Sequence, residues 1–149
     1  MPATPTDREL LLAQGFFYHV TRSDAWDEIK TKGLTASLNP VYQSYFHGPV
    51  IFLCTDEGLP CAKEMFRTGF NDDPPRVVLE VPAEPVAMHE CTPDFSFTVR
   101  VPSNMTLREC LASVGFIVCY GDIRAEHVRL RQYQDNDLNW QDAAQKPPG

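Results

Sequence analysis

The segment Phe16-Phe17-Tyr18-His19-Val20-Thr21-Arg22-Ser23-Asp24-Ala25-Trp26-Asp27-Glu28-Ile29-Lys30-Thr31-Lys32-Gly33-Leu34 decides how the chain is read. Phe16 to Val20 are aromatic or β-branched, which suits a buried strand. Ser23 offers an N-cap hydroxyl. Asp24 and Asp27 place negative charge at the positive end of a helix. Trp26 and Ile29 are three apart and share one helix face. Gly33 fits the left-handed C′ position that ends many helices. The unit is strand, turn, helix, stop. His19 stands at the strand's end, where a sheet presents side chains to a cleft.

Before this segment, residues 1–7 form an arm and Arg8 to Gln14 predict a short helical turn. After it, residues 34–49 have the composition of a loop, with Asn39-Pro40, Gly48-Pro49 and the rings of Tyr42, Tyr45 and Phe46. Long loops often act as lids or binding loops; the same rings also suit a loop pinned to the core. Val50 to Cys54 predicts a second buried strand. Thr55-Asp56-Glu57 resembles a helix entry, with Pro60 in the first turn and the helix running to about Arg67. Arg76 to Val81 predicts a third strand, ended by Pro82 and Pro85. Residues 86–94 are ambiguous. Phe95 to Val101 alternates and reads as a strand.

Thr106-Leu107-Arg108-Glu109 matches a capping box, for a helix that continues to Ser113 and stops at Gly115. Phe116 to Tyr120 and Val128 to Tyr133 complete the strands, with a short bend over Ile123 to His127. From Gln134 the chain is polar. The expectation is one domain over residues 1–133 and a flexible tail over 134–149. The fold class expected is α+β, a split, mixed but mainly antiparallel sheet of about six strands with flanking helices.

Of the 149 residues, 43% are hydrophobic and 11% aromatic, enough for one core. No apolar stretch approaches the roughly 20 residues that span a bilayer, and the first residues lack a basic region followed by an apolar one. Neither a membrane partner nor a secretory signal is expected. Cys54, Cys61, Cys91, Cys110 and Cys119 are odd in number and form no CxxC pair, which suits reduced thiols in a cytoplasmic protein. The net charge of −7 disfavours non-specific binding to phosphate backbones. Arg124, Arg129 and Arg131 are the densest basic segment. No GxGxxG or GxxxxGK[ST] loop follows any strand. His89-Glu90-Cys91 with His47 lacks metal-ligand spacing, so no metal is expected. Cys54 reads as a small hydrophobe rather than a nucleophile activated by His19.

Three stretches resemble ADP-ribosyltransferase-like domains. Tyr18-His19-Val20-Thr21 with its helix and Lys32-Gly33-Leu34 looks like the family's opening, in the histidine-containing branch of the PARP and RNA 2′-phosphotransferase type. Val50 to Thr55, with Ala62 and Phe66 behind, resembles the second core strand and its helix. Asp122-Ile123-Arg124-Ala125-Glu126-His127-Val128 is similar to the turn before a late strand. The resemblance implies a cleft that holds NAD as substrate, with His19 on a ribose hydroxyl. An aromatic residue stacks on the nicotinamide, a role open to Tyr42, Tyr45 or Phe66. Thr21 and Thr55 join the cofactor-binding set. A glutamate supports the oxocarbenium-like transition state.

Here the sequence departs from the family. The strand that carries the acid starts Val114-Gly115-Phe116, leaving Glu126 and then Asp122 as catalytic candidates. The implied activity is transfer of ADP-ribose to a protein or nucleic-acid acceptor, or a related RNA 2′-phosphate transfer. The alternative is a catalytically degenerate member of the fold that binds a nucleotide or a protein.

Overall fold

In the computed structural model, residues 6–38, 40, 43–65 and 75–143 are described. The elements are α1 (Asp7–Leu12), β1 (Phe16–Arg22), α2 (Ser23–Lys32), β2 (Ile51–Cys54), α3 (Leu59–Met65), β3 (Arg76–Pro82), α4 (Ala83–Ala87), β4 (Cys91–Pro93), α5 (Leu107–Ser113), β5 (Phe116–Cys119), a 3₁₀ turn (Ala125–His127), β6 (Arg129–Gln134) and β7 (Trp140–Asp142). This is an α+β fold. One seven-stranded sheet runs in the order β4-β5-β2-β1-β3-β6-β7, and its strand pairings are antiparallel.

The central strands are the apolar ones. Val77, Val78, Leu79 and Val81 of β3 are buried, as are all four residues of β5. Continuous apolar runs of this kind suit strands covered on both faces. The edges are β4 and β7, three residues each, too short to recruit another strand. Trp26 and Ile29 pack α2 onto the core. Gly33 ends that helix at φ 82°, and a Cβ there would strike the backbone of Ile123 and Ala125. The Thr106–Glu109 capping box forms in full at the start of α5.

The sheet opens at its middle. β1 pairs with β3 along its whole length, from Phe16↔Pro82 to Arg22↔Arg76. It meets β2 at the single register pair Tyr18↔Cys54. Beyond that rung β1 and β2 part, and a cleft lies between them.

Several expectations are corrected. Phe95 to Val101 is not a strand. The Asp94 carboxylate accepts from the Ser96 N–H and hydroxyl, which turns the chain after Pro93. Val99 ends up almost fully exposed. The strand in this region is β4. The α3 helix starts at Leu59 after a turn over residues 56–58, with the Thr55 carbonyl accepting from Gly58 and Leu59. Ser23 is the first residue of α2 and provides no side-chain cap. Pro85 sits in the first turn of α4, where its missing N–H is not needed.

The domain does not end at Tyr133. Gln134 is buried; its Oε1 accepts from the Arg76 N–H at 2.8 Å and its Nε2 donates to the Leu138 carbonyl. Asp135 then caps a turn by accepting from the N–H groups of Asp137 and Asn139. That turn lets β7 pair with β6. Over residues 134–143 the polar composition serves turn and edge chemistry; the rest of the expected tail, residues 144–149, lies outside the described residues. Among the described residues, no helix is long and apolar enough to cross a membrane.

Candidate functional site

The cleft has a volume of about 310 Å³. One wall is β1, with Tyr18, His19 and Thr21. The facing wall is Phe52 and Cys54 of β2, with Phe116 beyond. The turn after β4 closes it with Asp94, Ser96 and Phe97. A second cavity of about 280 Å³ lies beside α2 and shares His19 and Phe52 as lining residues.

His19 is half-buried, and its Nδ1 is 2.7 Å from the Phe52 carbonyl oxygen. A carbonyl only accepts, so Nδ1 carries the proton and Nε2 is the acceptor. Burial pushes the imidazole pKa below its ordinary value, against the opposing hydrogen bond to Phe52. The ring is therefore neutral at pH 7. Nε2 has no protein partner among the described residues, and it suits a hydroxyl donor.

Asp94 is the carboxylate among the cleft's lining residues. It is 8% exposed. Burial raises its pKa, while the bonds from Ser96 and Phe97 pull the other way. A neutral histidine and an acid with a raised pKa thus share one cleft, the pattern expected where environments set acid and base roles. Tyr18 is buried. Burial first, then Asp56 and Glu80, push its pKa up to about 12. Cys54, buried beside them, has its thiol pushed up to about 12, mainly by burial. That is the environment of an inert thiol, not of a nucleophile.

The expected site residues divide. His19 and Thr21 line the cleft. Thr55 is not among its lining residues: it is 1% exposed, and its Oγ1 is a buried polar atom with no hydrogen-bond partner among the described residues. Gly115 explains this. It has φ 74°, its carbonyl accepts from the Thr55 N–H, and a Cβ on it would collide with Thr55 Oγ1 and Gly58. The position where the resemblance seeks an acid is thus packed against backbone.

Tyr45 is also elsewhere. Phe46 inserts between Phe52 and Tyr120, with ring centroids 5.9 and 6.5 Å away. His47 stacks on Tyr120 at 4.0 Å and bonds to Glu90 at 2.7 Å. The loop is pinned outside β2 and β5, and Tyr45 faces a shallow hollow with Tyr120 and Phe95. Tyr42 and Phe66 lie outside the described residues.

Neither expected catalytic acid lines the cleft. Glu126 is on the exposed 3₁₀ turn, paired with Arg124 at 3.2 Å. Asp122 accepts from the Ala36 N–H at 2.8 Å, and its carbonyl accepts from His89 Nε2 at 2.9 Å. These bonds tie the loop after α2 to the turn after β5. Asp122 is a structural clasp on the far side of that loop.

Sequence reasoning missed Asp94, Ser96, Phe97 and Phe116. The signal was present in Pro93-Asp94-Phe95-Ser96, because an Asp with a Ser two residues on is an Asx-turn signature. A larger groove of about 660 Å³ runs between α3 and the β6–β7 turn. Its ammonium, Lys63, is already held by Gln132 at 2.7 Å and lies over the Trp140 ring. Among the described residues no group of three or more His, Cys, Asp or Glu is placed to hold a metal.

Fold and cleft define an α+β protein whose antiparallel sheet opens into a ligand-sized site. The same fold is seen in the solved structure named EcPltA, with TM-score 0.52 and 14% identity, over 87% of this chain and 83% of that one. At that identity the likeness is one of fold alone. No protein-family model matches the chain. No curated protein matches it either.

Proposed function

We propose that the chain binds NAD in the cleft between β1 and β2, as an ADP-ribosyltransferase-like protein. The observation that carries the proposal is the neutral His19, held by Phe52 and with no partner for Nε2 among the described residues, where the two strands part. That geometry offers an acceptor to a ribose hydroxyl. Phe52, Phe97 and Phe116 supply apolar surface for a flat ring, and the second cavity beside α2 gives the other half of a dinucleotide a place. Transfer of ADP-ribose to a macromolecular acceptor would draw on Asp94, the carboxylate among the cleft's lining residues, for electrostatic support of an oxocarbenium-like state. The five cysteines, all free thiols, suit the cytoplasm.

One observation favours a second reading, a nucleotide-binding module without turnover. Gly115 leaves no room for a side chain at the strand start where the resemblance seeks the acid. Calorimetric titration with NAD tests binding, and nicotinamide release with radiolabelled NAD tests turnover. Binding with release supports the transferase. Binding without release supports the module. Absence of binding ends both readings.

A further inference from the structure

Cys91 on β4 and Cys119 on β5 are directly opposite each other. Which kind of rung they occupy follows from their neighbours. The Tyr120 N–H donates to the Glu90 carbonyl at 2.9 Å, and the Asp94 N–H to the Phe116 carbonyl at 3.0 Å. Hydrogen-bonded rungs alternate with open ones along an antiparallel pair. Glu90/Tyr120 and Asp94/Phe116 are bonded, so Cys91/Cys119 is an open rung. Open rungs bring Cα atoms to about 4.5 Å and side chains closest together. That spacing is within the roughly 4.4–6.8 Å range of disulfides.

We propose that Cys91 and Cys119 form a reversible cross-strand disulfide, made by exchange with a small-molecule disulfide. Electronic setting agrees with geometry. Each thiol donates to a backbone carbonyl, Cys91 to Val86 and Cys119 to Gly121, and the neighbouring Cys91 thiol holds the Cys119 thiol below its ordinary pKa, against the effect of burial. Cys119 is thus the better nucleophile. Its thiolate attacks one sulfur of the small disulfide and expels the first small thiol. Cys91 then attacks the Cys119 sulfur of the mixed disulfide and expels the second. The two protons leave with the two released thiols, and the cysteine pair is oxidised as the reagent is reduced.

Both sulfurs are buried, but the route to them is short. β4 is an edge strand of three residues, and such strands open locally at little cost. The bond would also bear on the cleft. Asp94 follows directly on the last residue of β4, so the crosslink fixes the strand that carries that wall.

The test oxidises the full-length protein with oxidised glutathione, unfolds it in guanidinium chloride with iodoacetamide present to block every remaining thiol, and measures intact mass. Reduced protein takes up five alkyl groups, one per cysteine. Oxidised protein should take up three and yield a Cys91–Cys119 linked peptide; chymotrypsin cuts at Leu111 and Phe116, separating Cys119 from Cys110. Cys61→Ser should leave the link intact, and Cys91→Ser should abolish it. Five alkyl groups after oxidation, glutathione adducts alone, or a link between other cysteines would overturn the proposal. The peptide map of the parent protein decides the matter even if Cys91→Ser does not fold.

Discussion

His19 Nδ1 lies 2.7 Å from the carbonyl oxygen of Phe52, across the gap where β1 and β2 separate. The bond fixes the ring's tautomer and leaves the other nitrogen as an acceptor. His19→Ala removes both the bond and the acceptor. It is expected to weaken NAD binding about tenfold or more, and to cost about 1 kcal/mol of stability, the usual worth of one such bond. Titration calorimetry and thermal melts read the two effects separately. Unchanged affinity would remove His19 from the site.

The same ring gives a pH signature. Its folded-state pKa is below the ordinary 6.5, so folding disfavours the proton. The stabilisation is therefore fully present above pH 6.5 and declines as pH falls below that value, while the unfolded chain takes up a proton that the folded ring refuses. Between pH 7 and pH 5, the melting temperature of the parent should drop more than that of His19→Ala. Parallel curves would show that the ring is not desolvated.

Asp94 behaves in the opposite sense. Its folded pKa is raised, so its contribution to stability is greatest below the ordinary carboxylate value and is lost as pH rises through the raised one. Asparagine still accepts from the Ser96 N–H and hydroxyl. Asp94→Asn should therefore melt at or above the parent temperature at pH 7. If the cleft turns NAD over, nicotinamide release should fall by about 100-fold or more with little change in affinity. Unaltered release in Asp94→Asn would exclude the carboxylate from chemistry.

Gly115 and Thr55 make a packing prediction. Gly115→Ala forces a side chain into a positive-φ position already filled by Thr55 Oγ1, and is expected to cost about 2 kcal/mol or more. Thr55→Val removes a buried hydroxyl with no partner among the described residues, and should be neutral or stabilising. Denaturant midpoints measure both. A clear loss of NAD affinity in Thr55→Val would return Thr55 to the binding set.

Glu126→Gln and Asp122→Ala separate clasp from catalyst. Both acids are outside the cleft, so NAD affinity should not change in either. Asp122→Ala alone should lose about 1 kcal/mol, because the Ala36 N–H loses its acceptor. A fall in affinity with either substitution would contradict the placement described above.

The sequence made some of this legible and hid the rest for physical reasons. Aromatic and β-branched runs specified β1, β2, β3 and β5, and the Thr106–Glu109 capping box specified α5, because those signals act locally. His19 was legible as a residue of the cleft but not at its true place, because β1 runs on to Arg22 and leaves it in mid-strand. Phe95 to Val101 misled because its alternation, a strand pattern, is overridden by one carboxylate, that of Asp94. Glu126 and Asp122 lie outside the cleft's lining because a turn's position in the chain says nothing of which side of the sheet it reaches. Gln134 was hidden because its burial depends on the Arg76 N–H, a partner far away in sequence.

The rung between Tyr18 and Cys54 has a mechanical consequence. The three strands on one side of it and the four on the other are wings that meet at this rung, and a relative tilt of the two wings would centre there. Displacement grows with distance from a pivot. Along β1, Thr21, three residues on and about 10 Å away, travels further than Tyr18. Substitutions at the pivot therefore set how fast the wings spread to admit a guest, without altering the surfaces that hold it.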